Sequence, residues 1–98
     1  EEYHKATQSF LTAIQINPQH AQAHFNLGWV YGKLERHEDE IAAYSKAIEI
    51  DGDYAKAHLG LGLVYLKKGQ RQEALKTYNK LKTMDKNMAD LLYEMIEN

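Results

Sequence analysis

Cysteine is absent from the sequence, and proline occurs only once. The absence of cysteine excludes disulfide bonds, cysteine-ligated zinc sites and thiol nucleophiles. Long apolar runs are also absent, because the longest one, Leu59 to Leu66, is far shorter than the roughly 20 residues needed to span a bilayer. We therefore predict a soluble protein with no membrane partner. The compartment stays open, with the cytoplasm slightly favoured.

An excess of positive charge is the third thing that the sequence lacks. Lysine and arginine number 12 against 14 aspartate and glutamate residues, so the formal net charge is −2 with histidine neutral. This balance provides no positive field to gather phosphates, and nucleic acid is not predicted as a partner. A chain of 98 residues can bury a modest core but not enclose a large catalytic cavity.

What the sequence does contain is an internal repeat. The stretch AHFNLGWVYGKLE, which starts at Ala23, returns as AHLGLGLVYLKKG, which starts at Ala57, and about a third of the positions match without a gap when 21–54 is laid over 55–88. Apolar residues in each copy recur at helical spacing on both sides of a short polar break, which predicts two helices per copy. The helices predicted for the chain are roughly 2–16, 21–34, 38–51, 55–68, 72–84 and 89–97.

The matched positions carry a family pattern. The first copy has His24, Leu27-Gly28, Tyr31, Tyr44 and Ala47, and the second has His58, Leu61-Gly62, Tyr65, Ala74 and Tyr78. This pattern resembles the tetratricopeptide repeat, a 34-residue helix-turn-helix unit. The resemblance implies an all-α fold in which such repeats stack as a right-handed α-solenoid. The implied organisation is one array over 1–98: the second helix of a truncated repeat (1–20), two full repeats (21–54 and 55–88) and the first helix of a further repeat (89–98).

Two residues depart from the family pattern in this register, and two segments are expected to end helices. Glu35 replaces the inter-helix glycine that Gly69 provides in the second copy, and Glu40 replaces the small mid-repeat residue, the most unexpected departure. Gly69 and the DGD segment at Asp51–Asp53 are expected to end helices with a left-handed cap.

The resemblance also implies a function. In tetratricopeptide arrays the first helices line a concave groove that holds a peptide or a partner segment, so we expect a non-catalytic interaction scaffold. The groove positions are Gln22, Phe25, Asn26, Trp29, Gly32, Lys33, Lys56, Leu59, Gly60, Leu63, Leu66, Lys67, Asp90, Tyr93 and Glu94.

This predicted face is unusually apolar. Phe25, Trp29, Leu59, Leu63 and Tyr93 have no obvious intramolecular partner in the sequence pattern, and such patches often mark interaction sites. The alternative is that they pack against one another. A carboxylate clamp of the kind used by some family members is not favoured, because Gly60 stands where an arginine is needed; the groove lysines still favour acidic ligands.

Self-assembly is the alternative function. One end of the chain is expected to present an apolar face of Tyr3, Phe10 and Ile14, and the other end a face of Leu91, Leu92, Met95 and Ile96. End-to-end stacking of these faces would give a homo-oligomer through a heterologous contact.

Catalytic and metal-dependent functions are not predicted. His24 and His58 occupy equivalent positions in helices expected to lie about 10 Å apart, too far to share one zinc ion. The segment GLGLVY from Gly60 lacks the third glycine of a nucleotide loop, and no catalytic motif surrounds Ser9 or Ser45. We expect no enzyme activity, no cofactor and no metal site.

Overall fold

The computed structural model describes residues 1–98 and contains six helices and no strands. The helices are α1 (Glu2–Ile16), α2 (Ala21–Lys33), α3 (His37–Ile50), α4 (Ala55–Lys67), α5 (Arg71–Leu81) and α6 (Lys86–Glu97). They form two compact units, Glu1–Gly52 (unit 1) and Asp53–Asn98 (unit 2). The six predicted helices are confirmed, and the all-α prediction with them.

Unit 1 is built around α2, which packs against both α1 and α3. Its buried apolar side chains recur at helical spacing along α2 and α3; they are Ala23, Leu27, Val30, Ala43, Tyr44 and Ala47. Gly28 is where α2 and α3 approach closely. A Cβ atom at Gly28 would lie 2.7 Å from two ring carbons of Tyr44, so the tyrosine ring occupies the space that a side chain would need.

Unit 2 consists of α4, α5 and α6, and each helix contacts the other two. Its core cluster is Ala74, Leu81, Ala89, Leu92 and Ile96. Gly62 repeats the role of Gly28 with a different neighbour. A Cβ atom at Gly62 would lie 2.6 Å from Cδ2 of Leu92, so here the close approach is between α4 and α6.

The largest difference from the predicted helix bounds lies between α5 and α6. The helix α5 ends at Leu81 rather than 84, and α6 begins at Lys86 rather than 89. The reason is Asp85, whose carboxylate accepts a hydrogen bond of 3.1 Å from the Met88 amide and caps α6. The equivalent Asp51 instead follows the last residue of α3 and is followed by Gly52.

The two inter-helix turns that follow α2 and α4 have the same geometry despite different residues. Glu35 has φ 58° and Gly69 has φ 75°, both in the left-handed region. In each turn the next amide bonds back to a tyrosine carbonyl, Arg36 to Tyr31 at 2.9 Å and Gln70 to Tyr65 at 2.8 Å, which is the Schellman pattern. The prediction for Gly69 is confirmed, whereas that for the DGD segment at Asp51–Asp53 is wrong, because α3 ends on extended backbone at Asp51 and Gly52 has no positive φ.

Glu35→Gly is expected to raise the free energy of unfolding by about 0.5–1 kcal/mol. The left-handed conformation costs a non-glycine residue about 1–2 kcal/mol, and the greater freedom of glycine in the unfolded chain offsets part of the gain. Gly69→Ala is the reciprocal control and should lower the free energy of unfolding by about 1 kcal/mol, since nothing lies within 4 Å of a Cβ atom there and only the backbone is strained. Urea denaturation followed by circular dichroism measures both; a loss of stability in Glu35→Gly would contradict the assignment of strain.

Candidate functional site

The exposed face of α2 carries an aromatic platform formed by Tyr3, Trp29 and Lys33. Trp29 and Lys33 are four residues apart and therefore lie on the same side of the helix. The Lys33 ammonium lies over the indole, 4.9 Å from the ring centroid, and the Tyr3 ring of α1 packs edge-to-face against Trp29 with centroids 6.2 Å apart. Trp29 nevertheless remains 48% exposed and Tyr3 39%. The platform is thus ordered by its own contacts and still open to solvent.

The other predicted positions of α2 are less accessible, with the exception of Gln22. Phe25 is half-buried and packs on Tyr44 of α3, with ring centroids 5.7 Å apart. Gln22 is exposed and Asn26 is half-buried. The expectation that Phe25 and Trp29 lack intramolecular partners is therefore wrong. An aromatic side chain on this face also reaches the neighbouring helix, which repeat positions alone do not reveal.

Lys33 has no carboxylate partner, unlike Arg36 and Lys46, two other basic residues of unit 1. Arg36 pairs with Asp39 at 2.7 Å, and Lys46 pairs with Glu49 at 2.6 Å. The Lys33 ammonium instead contacts the indole of Trp29. Its ammonium is thus positioned by an aromatic ring and not neutralised by an acid.

In unit 2 the predicted leucines mainly contribute to packing. Leu59, Leu63 and Leu66 are half-buried and pack against the core cluster of α5 and α6. The expectation that Leu59 and Leu63 are unpartnered is therefore wrong, because both side chains pack against the core of unit 2. Lys56 and Lys67 are exposed at the two ends of α4.

A second aromatic contact in unit 2 involves Tyr93. Tyr93 of α6 is 43% exposed, and its ring lies 5.0 Å from that of Tyr78, measured between centroids. Lys82 places its ammonium 5.2 Å from the centroid of Tyr78. Tyr93 thus has a partner, contrary to expectation, and keeps an accessible side. Lys82 belongs to this cluster but was not among the predicted site residues, because the groove was assigned to the first helices of the repeats and Lys82 follows α5, a second helix.

The predicted end-to-end faces are largely covered within the chain. Leu92 is fully buried and Ile96 is 5% exposed, so the prediction that they form an open end is wrong. The exposed apolar side of α6 consists of Leu91 and Met95. At the other end, the stripe that contains Tyr3, Phe10 and Ile14 faces α2: Tyr3 contacts Trp29, Phe10 is half-buried, and Ile14 lines a groove with Leu27.

The departure at Glu40 has a local explanation. Glu40 is only 5% exposed. A Cβ atom added at Gly32 would lie 2.6 Å from Oε2 of Glu40, so the carboxylate fills the space that a side chain there would need. His37 Nδ1 lies 3.0 Å from Oε1 of Glu40, and the Tyr44 hydroxyl donates a hydrogen bond to the same carboxylate. Burial, the charge of Glu40 and this hydrogen bond raise the pKa of Tyr44 above its usual range. Gly32 is therefore a packing position against α3.

An apolar groove lies between the three helices of unit 1. It is open, has a volume of about 360 Å³, and is lined by Leu11, Ile14, His24, Leu27, Tyr31, Asp39, Ala42, Ala43 and Lys46. Three of its polar side chains already have partners: Asp39 and Lys46 form the ion pairs described above, and His24 Nε2 donates a hydrogen bond of 3.1 Å to the Pro18 carbonyl. Tyr31 is the remaining polar residue of the groove, and the Arg36 guanidinium lies over its ring, 4.7 Å from the centroid.

The histidines and helices of the chain suggest no other chemistry. No three His, Asp or Glu side chains are grouped so that they could hold a metal ion. His20 caps α2, because its Nδ1 accepts a hydrogen bond of 3.3 Å from the Ala23 amide. None of the six helices has the length and apolar character required to cross a membrane.

Comparison with known families decides the affiliation. A sequence profile described as TPR repeat matches residues 1–35 and 33–69, and a second one, described as tetratricopeptide repeat, matches 55–88. The chain belongs to the tetratricopeptide-repeat family. The resemblance inferred from the 34-residue repeat is thereby confirmed, together with the helical-solenoid fold class. Among curated proteins no match is found.

Solved structures of several other proteins have closely similar folds. A structure of the TPR2B domain of yeast Sti1 in complex with pHsp70 has a TM-score of 0.92 at 22% identity, covering 98% of this chain and 83% of the other. The Arabidopsis OM64 TPR domain has a TM-score of 0.91 at 19% identity, covering 98% and 81%. MamA has a TM-score of 0.85 at 33% identity, covering 92% of this chain and 53% of its own. The chain therefore spans about half the length of MamA.

Proposed function

We propose that the chain is a non-catalytic interaction scaffold that binds a peptide or a partner segment on the exposed side of its first helices, in the groove that the family affiliation implies. The tetratricopeptide fold suggests a protein-interaction scaffold, and the Sti1 domain of similar fold is described in complex with pHsp70. The observation that carries the proposal is the platform on α2, where the only tryptophan of the chain is 48% exposed although it has two ordered neighbours. Partly exposed tryptophans are frequent anchors of protein interfaces.

The residues proposed to contact the partner fall into two groups. Trp29, Lys33 and Tyr93 provide exposed aromatic and charged contacts, with Gln22, Lys56 and Lys67 beside them on the same helices. The more buried positions, namely Phe25, Asn26, Leu59, Leu63 and Leu66, hold the surface in shape and offer the partner their remaining accessible edges.

Trp29→Ala is expected to weaken the binding of a selected peptide at least tenfold. Truncation of a central interface tryptophan commonly costs 2 kcal/mol or more, and tenfold corresponds to 1.4 kcal/mol. Random peptides selected on the intact chain supply the ligands, and isothermal titration calorimetry compares the wild type with the variant. Lys76→Ala on α5, a 72%-exposed side chain, is the control and should bind as the wild type does.

Self-assembly is the second candidate function, and the observation in its favour is the exposed pair Leu91 (55%) and Met95 (54%) on α6. The same samples distinguish the two functions when they are also examined by sedimentation velocity. Loss of peptide binding in Trp29→Ala with unchanged sedimentation favours the scaffold. If the wild type associates reversibly and the selection yields no peptide that binds it, self-assembly is favoured and the scaffold function is contradicted.

A further inference from the structure

We infer that the platform of Tyr3, Trp29 and Lys33 selects a linear segment in which an apolar or aromatic residue lies next to, or one position removed from, an aspartate or glutamate. This inference rests on the proposed function and adds the chemical class of the partner. The three residues of the platform come from α1 and α2, so the whole platform lies within unit 1.

The indole of Trp29 offers a partner an ordered apolar surface. Nearly half of the Trp29 surface is open, while Tyr3 holds the ring edge-to-face at 6.2 Å between centroids. A ring held in this way loses little conformational freedom on binding and offers flat apolar area. An apolar or aromatic side chain of a partner would cover this area and displace water from it.

Lys33 disfavours a cationic partner group at the indole. Aromatic faces attract cations, but the ammonium of Lys33 already lies over the indole at 4.9 Å from the centroid. A second ammonium or guanidinium brought to the same ring would be repelled at short range by Lys33. The platform therefore disfavours lysine and arginine in the bound segment.

The Lys33 ammonium has no carboxylate counter-charge within unit 1. Arg36 and Lys46 have carboxylate partners on α3, whereas Lys33 has none, so a carboxylate from outside can pair with Lys33 without breaking an existing ion pair. Unit 1 as a whole has eight acidic residues against four basic ones, so its overall field does not attract anions. The preference must arise from direct contact with Lys33, since more distant charges are screened beyond about 10 Å at 0.1 M salt.

The geometry sets the spacing within the segment. A carboxylate oxygen that contacts Nζ at about 2.8 Å lies within about 8 Å of the indole centroid, because Nζ is 4.9 Å from that centroid. An extended chain advances about 3.3–3.6 Å per residue. The acidic residue therefore follows or precedes the apolar one by one or two positions.

Parallel selections from a phage library of random 12-residue peptides test the inference on the intact chain and on Trp29→Ala, Lys33→Glu and Lys46→Glu. The wild type should enrich peptides with an apolar residue within two positions of Asp or Glu, and Lys33→Glu should replace that acid preference by one for Lys or Arg. Lys46→Glu changes the net charge of unit 1 equally but on α3, and should keep the wild-type preference. Thermal melts by circular dichroism establish that each variant is folded.

Binding of single synthetic peptides then provides the quantitative test. Intrinsic fluorescence reports directly on the platform, because Trp29 is the only tryptophan. A selected peptide should bind at least fivefold more weakly when its acid is replaced by the neutral amide, and this difference should vanish in Lys33→Ala. If peptides bind the wild type but are insensitive to both Trp29→Ala and Lys33→Glu, the inference is overturned while peptide binding stands. If the selection yields no binder, the inference and the proposed function both fail.

Discussion

Leu92→Ala is expected to lower the free energy of unfolding by about 3 kcal/mol, within the range measured for buried leucines. Leu92 is fully buried in the core cluster of unit 2, and its removal leaves a cavity between α4 and α6. Leu91 is the matched control, because it is the preceding residue in the same helix and is 55% exposed. Leu91→Ala should cost about 0.5 kcal/mol or less. Urea denaturation followed by circular dichroism measures both, and equal losses would contradict the orientation of α6.

A second variant tests whether Gly62 is the neighbour of Leu92. Gly62→Ala alone should be destabilising, since its Cβ atom would lie 2.6 Å from Cδ2 of Leu92. In the Leu92→Ala background the same methyl group enters the vacated space and should be neutral or stabilising. Additive effects of the two substitutions would show that these residues do not touch.

Gly28→Val is expected to destabilise the chain by about 2–3 kcal/mol. The added Cβ atom would lie 2.7 Å from the Tyr44 ring, and overpacking of this kind typically costs 1–3 kcal/mol. Tyr44 cannot easily move aside, because it is 4% exposed and its hydroxyl donates a hydrogen bond to the buried Glu40. The loss should appear as a lower urea midpoint with an unchanged dependence on denaturant.

Gly52→Val is the control for this substitution. Gly52 lies in the turn after α3, has no positive φ, and would have nothing within 4 Å of an added Cβ atom. Its replacement should change the free energy of unfolding by less than about 0.5 kcal/mol. A comparable loss at Gly52 would mean that the effect at Gly28 reflects the added side chain in general and not contact with Tyr44.

The sequence was sufficient to predict the helices, because the apolar spacing and the 34-residue repeat agree with each other. Five of the six helices begin within one residue of the predicted position. The exception, α6, begins one turn early because Asp85 caps it, and the repeat register concealed this local signal. Asp85 followed by Lys86 and Asn87, where the first copy has Gly52 and Asp53, was the available indication of an earlier start.

The candidate site was harder to predict, because repeat positions specify a face of a helix but not the side chains that reach it from elsewhere. Trp29 was predicted to face the groove and is 48% exposed, yet its partner Tyr3 was assigned to the chain end. Tyr3, Thr7, Phe10 and Ile14 share the spacing of an inner face, and the buried Thr7 belongs to that face. The spacing alone could not decide whether a helix of the same chain or of another molecule covers it.

Amide chemical-shift mapping of the isotope-labelled chain with a selected peptide tests the central claim most directly. We expect the indole N–H of Trp29 and the amide of Lys33 to shift most. Shifts that leave Trp29 and Lys33 unchanged, for instance shifts confined to α3 and α5 or to Leu91 and Met95, would contradict the claim.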